Sequence, residues 1–525
     1  MVFRFARDIY FRSDIYNRML RKQAAVRLHA LAIDPIPGDA TRGAAFLNGE
    51  MILAGRRRPV GAHPFDADIK SRQAIAELHG FTWLRDLAAL SAPTAREGAA
   101  MLVRDWLNHH DRWHPVTWAP DIIASRVLAW ISHLDLVTET GGEPLRADMA
   151  QSAAAQLKHL AGLLRSRRSQ PKDVQTVFAV GTAMIAGAGA LPDREAWMAL
   201  GLDCLKRAIS NGLGPDGGPT DRSPEAALDI LALLVHAKRA LRGTKHQVPE
   251  FLADALARLG PAVKATQMGD GALAAFNGGG NSQSPMVSAV LSAAGVKGPA
   301  PHSLPDWGFE RLQGGQTVVV ADAGAAHRGA LSFEMSAGRH RMVVNCGAHP
   351  DETTEWARVL RATAAHSTLT INDTDALPMD GARRAELGLT VRRNEREGSS
   401  LVQLGHEGYR KAFGIVHNRD LYLSEAGDDF RGKDSLVGGA GAFSLRFHLH
   451  PDVGAMGLEG GDAVLLKLPG GKGWRFRCSG ARPVLEESVY LGDPLHPRRS
   501  QQIVLRGDHH QPETTIRWSF LREGA

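Results

Sequence analysis

The chain is poor in cysteine and in tyrosine. Its 525 residues hold three cysteines, Cys204, Cys346 and Cys478. An odd number at such wide spacing supports neither a disulfide framework nor a cysteine-bound metal. Tyrosine occurs five times, at Tyr10, Tyr16, Tyr409, Tyr422 and Tyr490, with none between Tyr16 and Tyr409. No run approaches the roughly 18 apolar residues that a bilayer-spanning helix needs. Lysine and arginine are spread along the chain, with no basic tail and no zinc-finger spacing, so nucleic acid is not an expected partner. The opening MVFRFARDIYFRSDIYNRMLRKQAAVRL has no uninterrupted apolar stretch and no small-residue cleavage site. It reads as no secretory signal, which points to the cytoplasm. Its basic and apolar residues alternate with helical spacing, which suits packing against another domain or lying on a membrane surface.

What is present is ordinary for a globular chain: 44% apolar residues, 22% charged residues and a formal charge of +6. The length accommodates two or three domains. A small positive charge favours an acidic polymer over a basic one but does not define a partner.

After an N-terminal helical or extended segment, 1–68, the apolar period from 69 to 268 is helical. Ser91-Ala92-Pro93 supplies a cap and a first-turn proline. Further helices are expected at about 120–138, 145–167, 173–188, 193–212, 223–242 and 248–259. Gly/Pro breaks such as Thr140-Gly141-Gly142 and Gly212-Leu213-Gly214-Pro215 separate them. Short links between helices of similar length favour antiparallel hairpins. Residues 269–310, rich in glycine and proline, read as a linker. From 311 to 525, short alternating runs such as Thr317–Val320, Arg341–Val344, Ile415–Leu423 and Phe443–Leu449 predict an antiparallel β-sandwich. The fold class is therefore multidomain α+β, helices first and strands second.

Several side chains stand out for their chemistry. His366 opens an alternating run, His366-Ser367-Thr368-Leu369-Thr370-Ile371, which reads as a strand that would hold the imidazole rigidly. His406-Glu407-Gly408-Tyr409 reads as a turn that projects side chains into a cleft. Asp216-Gly217-Gly218 leads to Arg222 and then to a capped helix, with Ser223 as cap and Pro224 at its first position. The two glycines would let backbone approach a ligand, and Arg222 would pair with a carboxylate. Asn277 and Asn281, in the glycine-rich run after Phe276, offer amides to sugar hydroxyls or a carboxylate. Trp83, Trp106, Trp113, Trp118 and Trp130 read mostly as helix-packing residues.

Taken in order, a series of motifs resembles the bacterial heparinase II/III-like proteins. They are Phe81-Thr82-Trp83-Leu84-Arg85-Asp86-Leu87, Asp216-Gly217-Gly218 with Arg222-Ser223-Pro224, Asp270-Gly271, and Phe276-Asn277-Gly278-Gly279. Asn345-Cys346-Gly347, His366-Ser367-Thr368, His406-Glu407-Gly408-Tyr409 and Arg446-Phe447-His448-Leu449-His450-Pro451 complete the series. The resemblance implies an incomplete α/α toroid followed by a β-sandwich, with a substrate cleft between them. It also implies β-elimination on an acidic, uronate-containing polysaccharide, and a cell-envelope or periplasmic setting. That chemistry requires a group that neutralises the uronate carboxylate, a base for the C5 proton and an acid for the departing O4, but no cofactor. His366 and His406 are the candidate imidazoles and Tyr409 the candidate phenol. Arg222, Asp216, Asn277 and Asn281 are the candidate substrate contacts. Related lyases carry a structural zinc held by two histidines and an aspartate. His366 and His417, with Asp373 or Asp380, are the counterparts in this chain, at a long-range spacing that does not itself specify a metal. The pair His448 and His450 reads as the polar face of a strand.

Two departures point to a different class. Members of the family place a catalytic tyrosine on the toroid, where this chain has none. The position after Asp216-Gly217-Gly218, often histidine in the family, is Pro219. A glycan-binding or exopolysaccharide-assembly protein without catalysis would fit both departures. An inverting glycoside hydrolase would need two carboxylates about 6.5–9.5 Å apart, and Asp216 with Asp221 is the pair to consider.

Overall fold

The structure, a computed structural model, describes residues 2–22, 27–31, 33–61, 63–166, 168–191, 195–280, 283–324, 328–376 and 387–524. Asn281 and Asp380 lie outside the described residues. The helices follow the sequence pattern closely: Pro93–His110, Pro120–Ser132, Leu134–Arg165, Val174–Ala190, Glu195–Gly212, Pro224–Gly243 and Glu250–Ala265. Pro93, Pro120 and Pro224 each occupy a first turn, where a missing N–H costs nothing. Ser223 caps its helix as expected, its side chain accepting from the Ala226 N–H at 3.3 Å. Ser91 does not cap. It lies at φ +49°, and Ala92 flanks Pro93–His110 with no side-chain cap. The break expected at Thr140–Gly142 is a kink inside Leu134–Arg165, because Gly142 turns the chain at φ +72° and Pro144 restarts the helix two residues on.

These helices pack side by side around one continuous core, with Trp106, Trp118 and Trp130 fully buried. The N-terminal helices Val2–Arg12 and Asp14–Arg21 are tied onto it. The Tyr16 hydroxyl meets His159 Nδ1 at 2.6 Å, and Arg21 pairs with Asp111 at 2.8 Å. Ile9, Tyr10, Ile15 and Met19 of the same helices stay exposed. Among the described residues no helix is long and apolar enough to cross a membrane.

The stretch 269–310 is more than a linker. It contains the helix Ser284–Ala294, packed on Pro224–Gly243 and Glu250–Ala265, and it delivers the first strands of the sandwich, Ser303–Leu304 and Phe309–Gly314. The remaining strands form two antiparallel sheets. The sheet facing the helices runs, across its width, Pro483–Tyr490, Arg498–His509, Gly441–Leu449, His340–Val344, Phe333–Ala337, Thr317–Asp322, Phe309–Gly314 and Ser303–Leu304. Leu369–Ile371 is added beside Gly441–Leu449. The outer sheet runs Gly454–Gly457, Ala463–Lys467, Gly473–Ser479, Glu513–Arg522, Asp429–Val437, Val416–Leu423, Ser399–His406 and Thr390–Arg396. Alternating inward residues of both sheets, including Phe333, Phe430, Phe447, Phe476, Trp518 and Phe520, fill the space between them.

Burial holds the imidazoles of His159, His236 and His448 down to about 4, and that of His79 to about 3. In an unfolded chain each titrates near about 6.5. Between those limits the unfolded chain binds more protons than the folded one, so stability falls as pH falls. Urea midpoints are expected to be level above about pH 7 and to decline steadily from about pH 6.5 toward 4. A midpoint unchanged over that window would contradict neutral buried histidines.

Candidate active site

The helical part and the sandwich meet along a seam, and four of the sequence candidates fall on or beside it. Asp216 accepts the backbone N–H groups of Asp306 and Trp307 at 2.9 and 2.7 Å, and that of Gly218 at 3.2 Å. Both carboxylate oxygens are thereby occupied by the protein itself. Gly217 and Gly218 also serve the protein rather than a ligand. A Cβ on Gly218 would lie 2.0 Å from the Trp307 ring, and Gly217, at φ +89°, lies against the Arg258 backbone. Asp221 accepts the Ser223 N–H at 3.0 Å. With Asp216 occupied, the hydrolase pair has no free carboxylate at its first position.

Arg222 reaches across the seam. Its Nε donates to the Trp307 carbonyl at 2.7 Å, and its Nη2 to the Gly308 carbonyl at 2.9 Å and to Asp322 at 2.5 Å. The guanidinium also lies over the Phe309 ring, 5.1 Å from its centroid. Its Nη1 is buried, with no partner among the described residues. Asn277, in the left-handed region at φ +52°, donates to the Arg222 carbonyl at 2.7 Å, and its own Oδ1 likewise has no partner among the described residues. The expected free carboxylate receptor is thus mostly a clasp, with one guanidinium nitrogen to spare.

His366 is not on a strand. The segment Thr363–Ala365 forms a single 3₁₀ turn, His366 flanks it, and pairing begins only at Leu369, opposite Leu445. His366 is 7% exposed, and its Nδ1 lies 2.9 Å from the Ala362 carbonyl. A carbonyl only accepts, so Nδ1 carries the proton and Nε2 presents a lone pair. Burial pulls the imidazole below its usual range, partly offset by that hydrogen bond and by Asp322 and Asp375. It is therefore neutral near pH 7. The ring lies against Gly329, where a Cβ would come within 2.5 Å of it. Ser367 and Asn345 fix the position: the Ser367 N–H donates to Asn345 Oδ1 at 3.0 Å, and Asn345 Nδ2 donates across the seam to the Ala275 carbonyl at 3.1 Å.

A second group of polar side chains continues along the same sheet face. His448 meets the Ala364 carbonyl through Nε2 at 2.9 Å and Ser488 Oγ through Nδ1 at 2.7 Å. Two residues beyond Ser488, and so on the same face, Tyr490 stacks edge-on to His450 with centroids 4.8 Å apart. Burial pushes its phenol up to about 12. Tyr490 is not among the sequence candidates. The two-residue spacing of Ser488 and Tyr490, matching that of His448 and His450, is the signal that marks it.

The other two candidates lie elsewhere. Tyr409 is 1% exposed inside the sandwich, its hydroxyl donating to the Leu369 carbonyl at 2.8 Å, and burial pushes its phenol up. The expected turn is present at Gly408 and Tyr409 but does not face a cleft: it leads into the short helix Arg410–Phe413, with Tyr409 as that helix's inward-facing first flank. His406 is buried at the end of its strand, directly across from His417. The Gly408 N–H donates to His406 Nδ1 at 3.0 Å, which leaves His406 Nε2–H to donate to His417 Nδ1 at 3.3 Å. His417 Nε2 in turn donates to Asp434 at 2.7 Å. Asp434 also accepts from Arg419 at 2.8 Å and from the Trp518 indole at 2.7 Å. Burial, which raises the Asp434 carboxyl, is outweighed by Arg419 and His417, so it titrates at about 2. Burial holds His406 well below the usual range, with His417 and Arg419 adding to the effect.

This ladder bears on the structural zinc that the fold implies. His417 has both ring nitrogens engaged, His366 is bonded to Ala362, and Asp373 is exposed beside Arg446. Arg419 supplies the positive charge next to Asp434 that a cation would otherwise provide. Among the described residues, no three metal-ligating groups of the sandwich converge on a point. His366, His417 and Asp373 therefore do not fit a zinc ion.

Helices closing on a two-sheet sandwich match the fold of solved polysaccharide lyases. The chain belongs to the heparinase II/III-like family. Residues 296–519 match the family description "Heparinase II/III-like, C-terminal". The chain is 30% identical over 532 aligned positions to FtsZ-localized protein C of Caulobacter vibrioides, covering 94% of this chain and 90% of that one. Among solved structures it is similar to heparinase III, with a TM-score of 0.72 at 13% identity, over 97% of this chain and 89% of the other. The heparan sulfate lyase HepC of Pedobacter heparinus matches at TM-score 0.60 and 16% identity, over 97% and 87% of the two chains. A chondroitin AC lyase of Streptomyces coelicolor matches at 0.53 and 12%, over 93% and 79%. At such identities these structures establish the fold.

Two substitutions test the roles derived for the sandwich interior. Asp434→Ala strands the buried Arg419 charge and is expected to cost about 3–5 kcal/mol. Tyr409→Phe loses one neutral hydrogen bond and is expected to cost about 1 kcal/mol. Guanidinium denaturation of each variant against wild type measures both. Equal losses would contradict the charged character of the ladder.

Proposed function

We propose that the chain binds an acidic, uronate-containing glycan along the seam and cleaves it by β-elimination, with His366 as the base. The observation that carries this reading is the state of His366: a neutral imidazole, Nδ1–H committed to Ala362, and Nε2 left with a lone pair. Arg222 Nη1, the guanidinium nitrogen with no partner among the described residues, is the donor suited to a uronate carboxylate. Withdrawing charge from that carboxylate acidifies C5–H, and Nε2 takes the proton as the C4–O4 bond breaks. Where C5–H and C4–O4 lie on the same side of the ring, the same imidazolium then returns its proton to the departing O4. One group thus serves as base and acid, so a phenol on the toroid is not required.

A second reading rests on a specific observation. The phenol that the sequence offered, Tyr409, is sealed in the sandwich core, and the relative that is 30% identical bears a name for localisation with FtsZ rather than for catalysis. On that reading the seam holds a glycan without cleaving it, at the places where FtsZ is found.

Absorbance of the 4,5-unsaturated uronate, followed across a panel of acidic polysaccharides, separates the two. The lyase reading expects a rise with wild type, a fall of about 10²–10⁴-fold in His366→Ala, and near-wild-type activity in Tyr409→Phe once folded. Because the base must be unprotonated and burial lowers its pKa, the rate is expected to be level at neutral pH and to drop in acid, below the usual imidazole range. Binding without any rise on the whole panel would favour the non-catalytic reading.

A further inference from the structure

A cluster on the outside of the helical part is unrelated to the seam. Asp105 and His109 stand one turn apart on the helix Pro93–His110, in its last two turns. His63 approaches them from the segment between the hairpin Glu50–Pro59 and the helix Arg72–His79. His63 Nδ1 lies 3.0 Å and His109 Nδ1 3.1 Å from the same oxygen, Asp105 Oδ1. The two rings face each other edge-on with centroids 5.4 Å apart. One ligand atom from each residue falls within 4.8 Å of the other two, and among the described residues this is the one group of three that does so.

Those separations are close to what a tetrahedral ion imposes. Zinc bonds of about 2.0–2.1 Å to nitrogen and oxygen place neighbouring ligand atoms about 3.3–3.4 Å apart. We propose that His63, Asp105 and His109 form a binding site for a divalent transition ion of the zinc type, with water in the fourth position. The donor set of two imidazoles and one carboxylate suits such an ion far better than calcium or magnesium, which favour all-oxygen shells. The C-terminal end of the helix adds a partial negative charge that favours a cation.

The site is also held in place before an ion arrives. Asp105 and His109 share one rigid helix face. His63 immediately precedes Pro64–Asp66, and Phe65 there is buried against the rings of Phe81, His79 and His110 at 5.5, 5.4 and 5.9 Å. A second contact, His110 Nε2 to Asp66 at 3.2 Å, ties down the same junction. His109 Nδ1 also lies 2.9 Å from the Asp105 carbonyl, which holds its proton until an ion displaces it. The histidine side chains are 58% and 49% exposed and that of Asp105 is 14% exposed, so an ion reaches the site from solvent. Once bound, it cross-links the 60–71 segment to the toroid. This inference does not depend on the lyase reading.

The test is a zinc titration of the chelator-stripped full chain against a competing chromophoric chelator. Wild type is expected to bind one zinc that His63→Ala, His109→Ala and Asp105→Asn each weaken by more than about tenfold. His366→Ala is expected to bind as wild type does. Cobalt substitution should give the intense visible bands of a tetrahedral site, lost in the His63→Ala/His109→Ala double variant. Zinc should also slow proteolytic cutting within 60–71 in wild type and not in that variant. Zinc binding undiminished in the double variant, with its circular dichroism unchanged, would overturn the proposal. So would the absence of any zinc-dependent signal in wild type.

Discussion

Three arginines, Arg311 and Arg341 buried and Arg222 half-buried, hold the helical part and the sandwich in one orientation. Arg222 extends from the helices to Trp307, Gly308 and Asp322. In the opposite direction, Arg311 donates to the Ala265 and Gln267 carbonyls, and Arg341 bridges Glu334 on its own sheet to Asp270 and the Leu273 carbonyl. A guanidinium removed from water is tolerable only while its hydrogen bonds are met. Any slide of one part over the other would break several of these bonds at once. The seam therefore has a fixed geometry, and His366, latched through Ser367 and Asn345 to the Ala275 carbonyl, inherits it.

Much of this was legible in the sequence. The helices announced themselves through first-turn prolines and an unbroken apolar period, and the strands through alternation. Where the reading failed, a local side-chain bond had overridden the pattern. His366 to Ile371 alternates like a strand, yet Nδ1 of His366 and the hydroxyls of Ser367 and Thr368 bind neighbouring backbone, so strand pairing waits until Leu369. Gly217 and Gly218 signalled a close approach correctly, but sequence gives no clue that the approaching group is Trp307, so far along the chain. Tyr409 attracted attention through its glycine neighbour, whereas Tyr490, on the seam, sits in a strand whose partly exposed pattern looks unremarkable.

The ladder His406–His417–Asp434–Arg419 shows how chemistry-bearing side chains can serve the fold rather than a ligand. Arg419 also donates to the Leu331 and Ser367 carbonyls at 2.7 and 3.0 Å, so it joins the outer sheet to the backbone beside His366. The histidines of the outer sheet support the seam from behind. Sequence motifs recorded this support without distinguishing it from the face that meets a ligand.

The clasp around Trp307 also has a consequence in time. Asp216 and Trp307 are 91 positions apart, and Arg222 and Asp322 are 100. A ribosome adding about 5–20 residues per second takes on the order of 5–20 s to cover that interval. Throughout it, the helices have emerged while their glycine-lined cradle lacks its tryptophan and Arg222 lacks its carboxylate. The nascent chain thus passes through a stage in which the helical part is made but open at one end, and that end is the surface a chaperone or a premature partner would meet.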